Sequence, residues 1–176
     1  QGDWSSDVCS SDLAGYQAAL RHVFPGLPDS GWAAFVATEP KDKAGTVVRP
    51  GSDGGLRLNG HKSWVAQSRH VEHLLVTGRA TDERVVPVEV TASAPGVVIG
   101  HRESPGFLAP LSQGFAQFND VEIQPGQLHG DDQTRRFGRT EPRFVMIAAC
   151  SYLLGNLLAR GLHDGEDGGP LVATLV

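Results

Sequence analysis

Cysteine is scarce in this sequence. Cys9 and Cys150 are the two in 176 residues, far apart and without a Cys-x-x-Cys spacing, which excludes a disulfide framework and a zinc ribbon. Positive charge is also short: 15 Lys and Arg against 20 Asp and Glu, a net of −5. A chain of that balance lacks the basic face that nucleic-acid binding needs. Long hydrophobic runs are missing too. The longest, Phe144 to Cys150, falls far below the roughly 20 residues of a bilayer-crossing helix, so no membrane insertion is expected. No basic-then-apolar leader pattern is visible, and the expected location is cytoplasmic.

Turn-forming residues are plentiful. The 22 glycines and 11 prolines favour strands and turns over a helical bundle, while 40% hydrophobic residues suffice for a core. Residues 4 to 13 repeat Ser-Ser-Asp without a sustained period; residues 1–13 therefore read as a non-native scar. The alternative is a natural cap in which Ser10, Ser11 or Asp12 starts a helix at Leu13. Leu13, Tyr16, Ala19, Leu20 and Val23 have helical spacing up to Pro25-Gly26.

From Trp32 the rhythm changes to short strands between Gly and Pro punctuation. Strands are expected at 32–38, 46–49, 73–78, 84–90, 96–100 and 114–123. Between them, Leu56-Arg-Leu58 and His61–Ala66 flank Asn59-Gly60, the signal of a two-residue hairpin turn. Asp131-Asp132 with Arg135-Arg136 reads as a solvated loop. After Pro142, the residues from Arg143 to Arg160 are apolar on nearly every face of a helix, the mark of a helix buried among others. No second helix of that length is visible, so its partners are expected outside this sequence. The fold expected is mainly β with flanking helices, an α+β arrangement around an antiparallel barrel or sandwich. His70 and His73 share a face only on a helix, and their segment leads into a strand, so no metal site is assigned.

Three segments, in order, resemble the acyl-CoA dehydrogenases: Phe35-Val-Ala-Thr-Glu-Pro40, Leu58-Asn-Gly-His-Lys-Ser-Trp-Val-Ala66 and Gln117-Phe-Asn-Asp-Val-Glu-Ile123. The resemblance runs from about Trp32 to Leu128. It implies a remnant of an N-terminal helical domain at 14–31, the middle β-domain at 32–130, and the start of a C-terminal helical domain at 140–176. It also implies FAD as cofactor, with Trp64 walling the flavin ring. The backbones of Phe35, Val36 and Ala37, the hydroxyl of Thr38, and Val65 and Ala66 would meet its polar edge. A flat aromatic ring system requires such an apolar wall and fixed donors.

The implied reaction is α,β-dehydrogenation of an acyl-CoA, as in fatty acid metabolism. Electrons would pass to an electron-accepting flavoprotein, and the protein would be a homo-oligomer assembled through its helical domain. An acyl-CoA oxidase, a flavin-dependent monooxygenase of the same superfamily, or a non-catalytic binding or assembly module are the alternatives. The pattern departs in two places. Ala66 replaces the family's Thr or Ser, the loss of a hydrogen bond of about 1 kcal/mol. Lys41–Thr46 replaces Gly-Ala-Gly-Ser-Asp, with Ala44-Gly45-Thr46 the nearest substitute and Lys41 or Lys43 a counter-charge for phosphate. No catalytic residue is assigned: the family's glutamate would lie beyond this sequence, Glu166 matches no motif, and Arg139 and Arg143 compete for the family's helix-start arginine. The chain alone is expected to be inactive.

Overall fold

The computed structural model describes residues 4–103 and 111–159, with side chains from Ser10 onward in the first helix. A seven-stranded sheet forms the body. Strand β1 (Trp32–Val36) pairs in parallel with β4 (Val71–Arg79), Ala34 facing Leu74. On the other edge of β4 lies antiparallel β5 (Val85–Thr91). Strand β2 (Val47–Pro50) takes over the edge that β1 leaves, meeting β4 at Arg79 and running antiparallel to β3 (Leu56–Ala66). Beyond β3 come β7 (Gln113–Ile123) and β6 (Val97–Arg102), both antiparallel to their neighbours. The mainly β class with flanking helices is thus what forms, and the parallel β1–β4 pair makes the sheet mixed rather than wholly antiparallel.

Period-two alternation separates two cores. Ala34 and Val36 of β1, Leu74 and Val76 of β4, Val65 of β3 and Phe118 of β7 point into one cluster around which the sheet curls. Ala33, Phe35 and Leu75 point the other way, onto the helices α1 (Trp4–Val23) and α2 (Asp132–Ala159). There Phe35 lies 4.6 Å from Phe137 of α2, ring centre to ring centre. Tyr16 of α1 accepts the Phe35 N–H at 2.6 Å, and burial pushes its own phenol well above the ordinary value. The two helices touch closely: a Cβ on Gly15 would stand 2.6 Å from the Phe144 carbonyl oxygen.

Three expectations are corrected. Asn59-Gly60 makes no turn, because β3 runs unbroken from Leu56 to Ala66. Instead the Asn59 side chain accepts the Asp120 N–H at 2.8 Å across a bulge in β7. Gly60, at φ +139°, leaves room for Thr46, whose Cα would be 2.5 Å from a Cβ. The first helix is helical from Trp4 rather than from Leu13. Ser and Asp, although poor helix formers, cost only a few tenths of a kcal/mol each, about 0.5, inside a helix. The second helix starts at Asp132, so residues 132–141 are no loop and Pro142 lies inside it.

The long helix therefore does have a partner in this chain, since α1 covers the face bearing Phe137 and Phe144. Its distal half stays uncovered among the described residues, with Met146 64% and Ile147 62% exposed. Counted by helix rather than by consecutive apolar residues, α2 is long and apolar enough to cross a membrane, with a mean hydropathy of 1.4 over 18 residues. That property is one of length and composition alone.

Candidate functional site: a bulge that turns Trp64 outward

Strand β3 carries its inward side chains at Leu58, Lys62 and Val65, a sequence of steps that simple alternation forbids. The cause is a bulge. Lys62 faces Ala116 and Val65 faces Gly114, so Ser63 and Trp64 together oppose the single residue Phe115. Such an insertion re-aims one side chain while the strand continues. Here it sends the indole of Trp64 outward, 44% exposed, while Val65 behind it is fully buried.

The bulge is bolted to the end of β1. The Thr38 carbonyl accepts the Ser63 N–H at 2.8 Å and the Ser63 hydroxyl at 3.2 Å. One residue earlier, the Ala37 carbonyl accepts from Lys62 Nζ at 3.0 Å. That ammonium, on a side chain 1% exposed, also reaches Thr77 Oγ1 at 3.0 Å and Glu39 Oε1 at 3.1 Å. Burial pushes Lys62 below the ordinary lysine value, and the Glu39 carboxylate opposes that shift. For Glu39 burial acts upward, but the Thr46 N–H, Lys62 and Arg79 together hold the carboxyl below its usual range. The loop after Pro40 is thus anchored through Glu39, which accepts the Thr46 N–H at 2.8 Å.

Two clefts flank this anchor. One, about 240 Å³, lies between the loop and the sheet and is lined by Asp42, Lys43, His61, Ser63, Arg102 and Phe115, among others. The other, about 520 Å³, opens where β1 ends and is lined by Ala37, Glu39, Thr46, Thr77 and Arg79, among others.

The structure brings the segment 37–38 against the segment 62–64, as two of the three sequence motifs require for a common site. It does not give every named residue an open role. The Phe35 N–H is occupied by Tyr16 and its ring is turned to the helices. Val36 and Val65 point into the sheet core, and Ala66 is paired with Gln113. The carbonyls of Ala37 and Thr38 are already accepting. What faces outward is the indole of Trp64 and the exposed side of Thr38. Lys62 and Glu39 were missed by the sequence reading. The signal was present: Lys62 shares the inward parity of Leu58, and a lysine there requires a buried acceptor.

No family model matches the chain, and no curated protein does either. Solved structures do. An FAD-dependent dehydrogenase superposes with a TM-score of 0.67 at 14% identity, covering 96% of this chain and 56% of its own. The prolyl acyl carrier protein oxidase AnaB gives 0.66 at 14% identity, over 89% of this chain and 48% of its own. An acyl-CoA dehydrogenase from Bacillus anthracis, complexed with FAD, gives 0.54 at 20% identity, over 69% and 24%. The chain spans between about a quarter and somewhat over half the length of these structures. It has the fold of the acyl-CoA dehydrogenases and related FAD-dependent dehydrogenases.

Proposed function

We propose that this chain supplies the flavin-facing β-domain and adjoining helices of an FAD-dependent oxidoreductase acting on an acyl thioester. The observation that carries the reading is the outward indole of Trp64, set by a bulge and tied to the Thr38 corner through Ser63. An exposed aromatic face beside a hydroxyl-bearing corner fits a flat ring with a polar edge. The fit is leaner than the sequence pattern implies: Ala66 brings no hydroxyl, and the carbonyls of Ala37 and Thr38 are engaged. Trp64 and Thr38 are the residues that would hold the ring.

When bound, FAD supplies the hydride acceptor for α,β-dehydrogenation. This chain's own residues position the ring and exclude water from one of its faces. The substrate in this reading is an acyl-CoA, the electrons leave to an electron-accepting flavoprotein, and the protein is cytoplasmic. The uncovered Met146 and Ile147 face of α2 is buried by a second copy or by further helices of the complete protein. A second reading, an oxidase on a carrier-bound thioester with oxygen as acceptor, is favoured by the broad fold likeness to AnaB.

The test is a titration of the chain with FAD, followed by the circular dichroism that the flavin acquires in the visible band when held asymmetrically. Weak, saturable induced ellipticity is expected. A flavin spectrum unchanged up to saturating FAD would overturn the reading.

A further inference from the structure

Lys62 is among the largest fully buried side chains of the sheet. Desolvating an ammonium is unfavourable, and an apolar side chain of similar length would fill the same space without that penalty. What an apolar side chain lacks is direction. The donors of Lys62 Nζ reach three separate elements: the Ala37 carbonyl at 3.0 Å where β1 ends, Glu39 Oε1 at 3.1 Å in the loop that follows, and Thr77 Oγ1 at 3.0 Å on β4. Two closed rings of bonds share this lysine. In the first, Ala37 leads to Thr38, whose carbonyl accepts the N–H of Ser63, the neighbour of Lys62 on β3, at 2.8 Å. In the second, Glu39 accepts the Thr46 N–H at 2.8 Å, and the Thr46 hydroxyl donates at 3.2 Å to the carbonyl of His61, the other neighbour of Lys62. Trp64 stands at the rim of the first ring. The ion pair also divides the two clefts, Lys62 lining that of about 240 Å³ and Glu39 that of about 520 Å³.

We propose that Lys62, with Glu39 as its counter-ion, is a positioning residue of the flavin site, setting the Thr38 corner at a fixed spacing from the outward indole of Trp64. The proposal rests on the flavoenzyme reading and assigns what makes its wall rigid. Lys62 acts through its neighbours, since its side chain is 1% exposed while that of Glu39 is 40% exposed. A pair so placed is a poor source of stability and a good source of unique geometry. A flat ring lodged between a corner and an aromatic wall tolerates little slack between the two, and a surrounding shell of hydrogen bonds removes it.

The experiment compares Lys62→Met with Val88→Ala, a core truncation on β5, across β4 from β1. Each variant is read twice. Without flavin, amide exchange is followed at Ser63 and Thr46, which belong to the rings, and at Leu74 in the middle of β4. With flavin, binding is followed by the visible circular dichroism induced in FAD. In Lys62→Met, exchange at Ser63 and Thr46 should accelerate about tenfold or more beyond that at Leu74, and FAD binding should weaken about tenfold or more. Val88→Ala should accelerate all three amides alike and weaken FAD binding less than about twofold while the chain stays folded. Glu39→Gln keeps an acceptor for both Thr46 and Lys62, so it should fall between wild type and Lys62→Met, and it carries the same comparison if Lys62→Met does not fold. Equal acceleration of all three amides in the Lys62 variant, or FAD binding lowered no more than in Val88→Ala, would make Lys62 a packing residue and overturn the proposal. A wild-type chain without a flavin signal overturns the reading beneath it, whereas flavin held undiminished by Lys62→Met overturns the positioning role alone.

Discussion

The inside of the curled sheet and the outer face of α2 are opposites. In the sheet, Ala34, Val36, Leu74, Val76, Val88 and Phe118 are 0–1% exposed, and the one buried ammonium, Lys62, has three acceptors. On α2, Arg135, Arg136, Arg139 and Arg143 are exposed beside Asp132, and beyond them Met146 and Ile147 are nearly two-thirds exposed. The interior of the curled sheet hides its apolar side chains and satisfies its buried ammonium, while its outer surface shows Val98, Trp64 and Phe115. The helix does so only on the side that meets α1 and β1. A surface with that much unmet potential is shaped for contact with something else, whereas the interior of the sheet is complete in itself.

Substitutions should widen that contrast. Phe118→Ala is expected to cost about 3–5 kcal/mol, the range for emptying a packed aromatic site, while Met146→Ala should stay within about 0.5 kcal/mol. Urea unfolding of both variants checks this; equal losses would erase the distinction between the two regions. Next in size is Lys62→Met. It leaves the Ala37 carbonyl with only the long contact from the Thr77 hydroxyl at 3.5 Å and Glu39 without its lysine partner, an expected loss of about 1–3 kcal/mol. The same variant should loosen the loop after Pro40, read as faster amide exchange at Thr46.

A smaller effect follows from pH. The Glu39 carboxyl is held below its usual value in the folded chain. Its contribution is therefore full above the unfolded value near 4.5 and is lost as pH falls through the depressed folded value. For Lys62 the folded value is also lowered, so the burial penalty on its charged form eases as pH rises toward 10.5. Glu39→Gln should flatten the acid limb of Tm against pH and leave the neutral region nearly level. An acid limb unchanged in that variant would show that Glu39 is not the group responsible.

Most strands were legible in the sequence because period-two burial writes itself as alternation. Val85–Thr91 and Gln113–Ile123 differ by only a residue from the expected spans. Asn59-Gly60 misled because both residues serve long-range purposes, one capping Asp120 and the other admitting Thr46, which no local rule separates from a turn. The start of α2 was hidden by charge, since Asp131-Asp132 with Arg135-Arg136 read as a solvated loop, whereas those charges lie on the outer side of a helix whose inner side carries Phe137. The bulge at Ser63-Trp64 could not be read at all. It exists only as a mismatch of register with β7, and that mismatch is what gives Trp64 its outward direction.

The central claim is that Trp64 is displayed for a ligand rather than packed for the fold, and Trp64→Ala tests it with two readouts on one sample. The account predicts that urea stability changes by less than about 1 kcal/mol, as for an exposed side chain, while the visible ellipticity induced in FAD disappears. A variant that loses several kcal/mol, or one that keeps the flavin signal undiminished, would contradict it.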